Sequence, residues 1–142
     1  MTQAVSCLND LMGRVMLVPE FVEKTELVLS EKDLIGILKG AKFPMAGVVY
    51  GGISANNLDA SRQGLAADFT GTVLVIVDGN AIGGLDQKQE ALRLLDVVRS
   101  TIRTQNSPTG HKWRFVREQP AGAIGNALLY RQVWSTAIIM TW

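Results

Sequence analysis

DFTGTVLVIV, residues Asp68–Val77, is the stretch on which the fold turns. It is short, rich in β-branched residues, and closed by Asp78-Gly79-Asn80, a turn sequence. Those features predict a buried strand rather than a helix. Upstream, Pro44–Tyr50 (PMAGVVY) has the same character and is expected to end at Gly51-Gly52. Downstream, Ala127–Trp142 (ALLYRQVWSTAIIMTW) alternates over its whole length. Tyr130, Gln132, Trp134, Thr136, Ile138 and Met140 fall on one side, and Leu129, Arg131, Val133, Ser135, Ala137 and Ile139 on the other. Both sides carry apolar groups, so this strand is expected inside the sheet or beneath another chain.

Two weaker segments complete the strand candidates. Lys112–Glu118 (KWRFVRE) interleaves charged and apolar residues with a mostly two-residue period, as a half-exposed strand does. Gln119–Asn126, with Pro120, Gly122 and Gly125, reads as a turn or hairpin loop. Phe21–Leu29 (FVEKTELVL) is consistent with an exposed strand or an extended connection. Residues 51–67 (GGISANNLDASRQGLAA) are poor in large apolar side chains and read as a long connection, a length usually reserved for function.

Three helices are expected between these strands. In residues 3–17, Val5, Leu8, Leu11, Met12, Val15 and Met16 recur at helical spacing, and Pro19 lies just beyond. Ser30 is placed to cap a second helix carrying Glu31 and Asp33 in its first turn, with Lys39 near its end and Gly40 as a left-handed stop. Asp86 with Gln89 forms a capping-box pattern for a third, whose apolar face is Ala91, Leu92, Leu94, Leu95, Val98 and Ile102. Strands and helices in this order predict one α+β domain over residues 1–142. Its sheet is expected to be mixed but mostly antiparallel, of about four to five strands, with helices packed mainly on one face.

Composition narrows the function classes. The chain has 142 residues, 47% of them hydrophobic and only 19% charged. Globular proteins typically carry about 25% charged residues. No apolar run approaches the roughly 18–20 residues of a membrane-spanning helix, so subunit interfaces are the better account of the missing charge. The net charge is +1, which gives no overall field for nucleic acid or membrane. Its distribution is uneven. Residues 1–40 hold four bases and six acids, a sum of −2, and residues 99–142 hold six bases and one acid, a sum of +5. Such polarity suits head-to-tail contacts between copies. The lone cysteine, Cys7, excludes an internal disulfide and fits a reducing compartment, and the N-terminus lacks the pattern of a secretory signal. The cytoplasm is the expected site of synthesis and first use.

No residue pattern prescribes catalysis, and none implies a metal or a cofactor. His111 is the sole histidine, which rules out two-histidine metal motifs, and it reads as a solvated loop residue. Cys7 lies on an apolar helix face and reads as packing, reaching His111 only through tertiary contact. Asp78 precedes Gly79 as a plain turn requires. No phosphate-binding glycine motif is present. In Lys112–Arg117, bases interleave with aromatics as on some nucleic-acid surfaces. A two-residue period, however, puts Trp113 and Phe115 opposite Lys112 and Arg114, which favours core plus solvated edge and no nucleic-acid readout.

The element order and the chain end resemble the tail terminator (tail completion) proteins of long-tailed bacteriophages, especially those of Mu-like phages and related contractile particles. The resemblance spans roughly residues 27–142. It is carried by Phe43-Pro44 leading into Met45–Tyr50, by DFTGTVLVIV, by the helix QKQEALRLLDVVRSTI, and by KWRFVREQ, a glycine-containing loop and LLYRQVWSTAIIMTW. It implies a mixed α/β fold and a hexameric ring that caps the tail tube, stops its polymerisation and offers a surface to the head connector. It also implies contact with the last sheath ring in contractile tails. The partners would be copies of the chain, the tail tube protein and, in addition, sheath and head-connector proteins. The protein would assemble in the host bacterial cytoplasm and end in the virion tail. Arg114, Arg117, Arg131, Asn56, Asn57 and Arg62 are the candidate interface residues. The alternatives are a small enzyme using Asp78 or His111, a connector or baseplate component, and an unrelated binding module.

Overall fold

The computed structural model describes residues 3–55, 65–79, 85–104 and 111–140. The elements in chain order are α1 (Gln3–Val15), a 3-10 turn (Pro19–Phe21), β1 (Thr25–Val28), α2 (Glu31–Lys39), β2 (Met45–Ala55), β3 (Leu65–Asp78), α3 (Leu85–Thr104), β4 (Arg114–Ile124) and β5 (Ala127–Met140). The strands form one sheet of order β1-β2-β3-β5-β4, parallel between β1 and β2 and antiparallel elsewhere. A parallel pair needs a crossover, and α2 supplies it. The ambiguous Phe21–Leu29 segment thus resolves into a turn followed by a short parallel edge strand.

The sheet divides the core in two. Alternate residues of β3 (Phe69, Val73, Val75, Val77) and β5 (Trp134, Ile138) face α1 and α3, building a cluster with Leu11, Val15, Leu94, Leu95, Val98 and Ile102. The opposite residues Leu74, Ile76 and Leu129 meet Leu34 of α2 with Val28 and Met45 in a smaller cluster. Two helices therefore cover one face and one covers part of the other, which agrees with the expected α+β arrangement. Placing β5 between β3 and β4 accounts for its two apolar sides.

Several element boundaries differ from those expected. β2 does not stop at Gly51-Gly52 but runs to Ala55, passing the glycines through a bulge between Tyr50 and Gly52. Glycine is required there: Gly52 has φ +108°, and a Cβ on Gly51 would lie 2.9 Å from the Thr70 carbonyl oxygen. The expected long connection at 51–67 is therefore strand at both ends, and its middle, 56–64, lies outside the described residues. Likewise β4 extends to Ile124, and the turn to β5 is only Gly125-Asn126. Pro120 and Gly122 are tolerated because β4 is an edge strand and bulges between them.

The helices hold smaller corrections. In α1 the buried stripe is Cys7, Leu11 and Val15 together with Arg14, whereas Val5 and Met16 lie outward. Arg14 is buried because its guanidinium has partners: Asp10 at 3.0 Å, the Ile102 carbonyl at 2.6 Å and the His111 carbonyl at 2.9 Å. Ser30 caps α2 as expected, its Oγ accepting from the Asp33 N–H at 3.0 Å, and the Asp33 carboxylate accepts from the Leu29 N–H in return. Gly40 is not left-handed (φ −113°), since α2 closes in a tighter turn with the Ala41 N–H on the Leu38 carbonyl. On α3, Leu92 is 57% exposed and does not belong to the apolar face. The Asp86 cap lies outside the described side chains.

Candidate assembly surface

α2 reaches only part of its face of the sheet. Beyond it the strands present Asp68, Thr70 and Thr72 from β3, Arg131, Val133 and Ser135 from β5, and Arg114, Arg117 and Gln119 from β4. Three of the predicted interface residues, Arg114, Arg117 and Arg131, meet here on one face.

A bulge makes this so. Arg114 pairs with Ser135 and Arg117 with Val133, two residues apart on β5 although three apart on β4. Val116 is the extra residue, half exposed, and the sheet face recovers its register after it. Without the bulge, strict alternation would place the two arginines on opposite faces. Trp113 stays in the core at 7% exposed, and Phe115 meets Trp134 edge-on with ring centroids 5.4 Å apart. Trp113 is therefore not available to stack on bases, in line with the core-plus-edge reading.

Two of the three arginines are held by neighbours. Arg114 Nη2 lies 3.2 Å from Asp68 Oδ1 and 3.4 Å from Ser135 Oγ. The Gln119 amide, oriented to satisfy both groups, accepts from Arg131 Nη2 at 2.8 Å and from its Nε at 3.3 Å. Among the described residues no ion pair involves Arg117. The result is a basic face of small hydroxyls and arginines, on which Arg114 and Arg117 are exposed and Val133 and Ser135 are buried. Its polar anchor is Asp68, whose pairing with Arg114 is set by strand order. Asn56, Asn57 and Arg62 belong to the β2–β3 connection outside the described residues.

The competing sites have little chemistry to offer. Cys7 Sγ and His111 Nε2 do approach, to 3.8 Å, so His111 is packed rather than a solvated loop residue. Burial, with the charge of Asp10, pushes the thiol up to about 11. A nucleophilic cysteine needs the opposite shift. The cleft at Asp78 measures about 80 Å³ and is shared with Phe43, Pro44, Val77 and Glu90. Ligand pockets usually occupy roughly 300–1,000 Å³. Among the described residues no group of three or more His, Cys, Asp or Glu side chains could hold a metal ion. Among them, too, no helix is long and apolar enough to cross a membrane.

No protein-family model matches the sequence, and no curated protein matches it. Among solved structures, the chain is similar to one from the "Virion of native gene transfer agent (GTA) particle". The match has a TM-score of 0.58 at 10% identity and covers 98% of this chain and 100% of the other. At that identity the likeness concerns the fold, which extends essentially end to end in both chains.

Proposed function

We propose that the protein is a structural subunit of a phage tail or tail-like particle, and specifically a tail terminator. In this reading it forms a hexameric ring on the finished tail tube, ends polymerisation of tube and sheath, and presents the surface to which the head joins. The observation that carries the reading is the end-to-end likeness to a chain of a virion particle. The basic sheet face supports it, because a ring subunit needs broad, flat protein contacts rather than a pocket. Assembly takes place in the host bacterial cytoplasm, and the protein remains in the tail of the particle. Its partners are further copies of itself, the tail tube protein and, in addition, sheath and head-connector proteins.

Electron micrographs of particles made without this protein test the role. Overlong tubes or tails lacking heads are expected. Normal tails of normal length joined to heads would remove the terminator reading. Complementation with Arg114→Glu, Arg117→Glu and Arg131→Glu together tests the surface. If the triple variant is folded and restores normal tails, the basic face is not the contact.

A further inference from the structure

The sheet ends in two dissimilar edges, each with exposed apolar side chains. At one end, β1 and its approach expose Val22, Leu27 and Leu29, the last 77% accessible. Around them, Pro19–Asp33 carry five carboxylates and two lysines, a sum of −3. Glu23, Glu26 and Glu31 are exposed. A groove of about 440 Å³ runs beside this strand, lined by Glu23, Glu26, Ile37, Ala41 and Met45, with Lys24 and Lys42 also on its wall. At the other end, β4 exposes Phe115, which leans on Trp134 on the helix-bearing face, and Val116 at the bulge, while Arg114 and Arg117 flank them along the edge and point to the opposite face; Lys112 lies just before them. Residues 111–117 contain three bases and no acid. Apolar side chains framed by acids on one edge thus match apolar side chains framed by bases on the other.

We propose that copies of the chain associate head to tail, the β4 edge of one seated on the β1 edge of the next. The two surfaces differ, so each copy in a pair keeps one edge unused, and the contact propagates until a ring closes. Pro120 and the two bulges of β4 interrupt its outer hydrogen-bonding groups. The contact is therefore made by side chains: Phe115 and Val116 against Leu27, Leu29 and the groove, with Arg114 and Arg117 opposite Glu23 and Glu26. This rests on the reading of the chain as a self-assembling subunit, but its test needs no particle.

The test uses two charge-reversed full-length variants, Arg114→Glu/Arg117→Glu and Glu23→Arg/Glu26→Arg, with circular dichroism to establish folding. Sedimentation velocity is run at low salt up to the solubility limit. Wild type is expected to self-associate, more weakly as salt rises. Each variant alone is expected to associate at least about tenfold more weakly. Mixed in equal amounts they should assemble again, because acidic β4 edges then meet basic β1 edges and the remaining edges are native. Three results each overturn the proposal: a wild type that stays monomeric, a folded variant that associates as wild type does, or a mixture that fails to recover. Loss in the β4 variant alone would instead indicate a symmetric β4–β4 contact. None of these outcomes depends on the micrographs that decide the tail role.

Discussion

The indole N–H of Trp113 donates to the Asp10 carboxylate at 2.7 Å, joining the residue before β4 to α1 across 103 positions of sequence. The same carboxylate oxygen receives the Arg14 guanidinium, and both charged side chains are under 8% exposed. Removing the acceptor strands a buried cation and an indole donor together. Asp10→Ala is expected to cost about 3–5 kcal/mol, read as a lower urea midpoint. Asp10→Asn, which keeps an oxygen for the indole, should cost less. Equal losses for the two would mean that charge alone matters.

Cys7 supplies a pH signature. Its thiol is raised from 9.0 to about 11 in the folded chain by burial and by the charge of Asp10. The unfolded chain therefore releases that proton first. The stability linked to the protonated thiol is complete below about pH 9 and is lost as pH rises toward 11. Denaturant titrations across this window should fall more steeply for wild type than for Cys7→Ala. Alkylation of the native thiol near neutral pH should run about 100-fold or more slower than in the unfolded chain. Comparable rates would place the thiol in contact with solvent.

At Gly71, β3 passes directly beneath the Leu11 side chain of α1. A Cβ there would sit 2.6 Å from Leu11 Cδ2. Gly71→Ala is expected to destabilise by about 1–3 kcal/mol through overpacking, measured by chemical denaturation. Leu11→Ala alone should cost about 2–5 kcal/mol. The double variant should fall short of the sum, since the new methyl group enters the space that Leu11 leaves. Strict additivity would show that the two positions do not touch.

Gln132 organises a buried polar chain. Its Nε2 donates to the Leu95 carbonyl at 2.9 Å and to Glu118 at 2.8 Å, and its Oε1 accepts from Trp134 Nε1 at 3.1 Å. Gln132 and Trp134 are both fully buried. Gln132→Leu leaves the indole N–H without its acceptor and is expected to cost about 1–3 kcal/mol, with a change in tryptophan emission. An unchanged midpoint and spectrum would mean that the network contributes nothing net.

Much of the fold was legible in the chain because it depends on local chemistry. The runs at Asp68–Val77 and Ala127–Trp142 are strands over their described lengths, and Ser30 with Asp33 starts α2 where the capping pattern falls. The errors cluster at glycines and proline. Gly51-Gly52, Pro120 and Gly122 carry the same turn preferences whether they end a strand or bulge inside one. The choice is made by the partner strand: β3 beside β2, and β5 beside β4. The burial of Arg14 was not legible for a related reason, since it depends on carbonyls contributed from residues 102 and 111.

The sequence by itself determined the alternation of β3 and β5, the helical stripes, the uneven charge and the three arginines near the chain end. These follow from side-chain periodicity and composition, which need no knowledge of neighbours. Only the tertiary structure decided that Arg114, Arg117 and Arg131 share one face. Strand order brought β4 and β5 together, and one unpaired residue, Val116, shifted the alternation by a step. It also decided that β1, with its acidic flanks, and β4, which carries Arg114 and Arg117, form the two opposite edges of the sheet, because edge position is a property of how all five strands pair and no single strand encodes it.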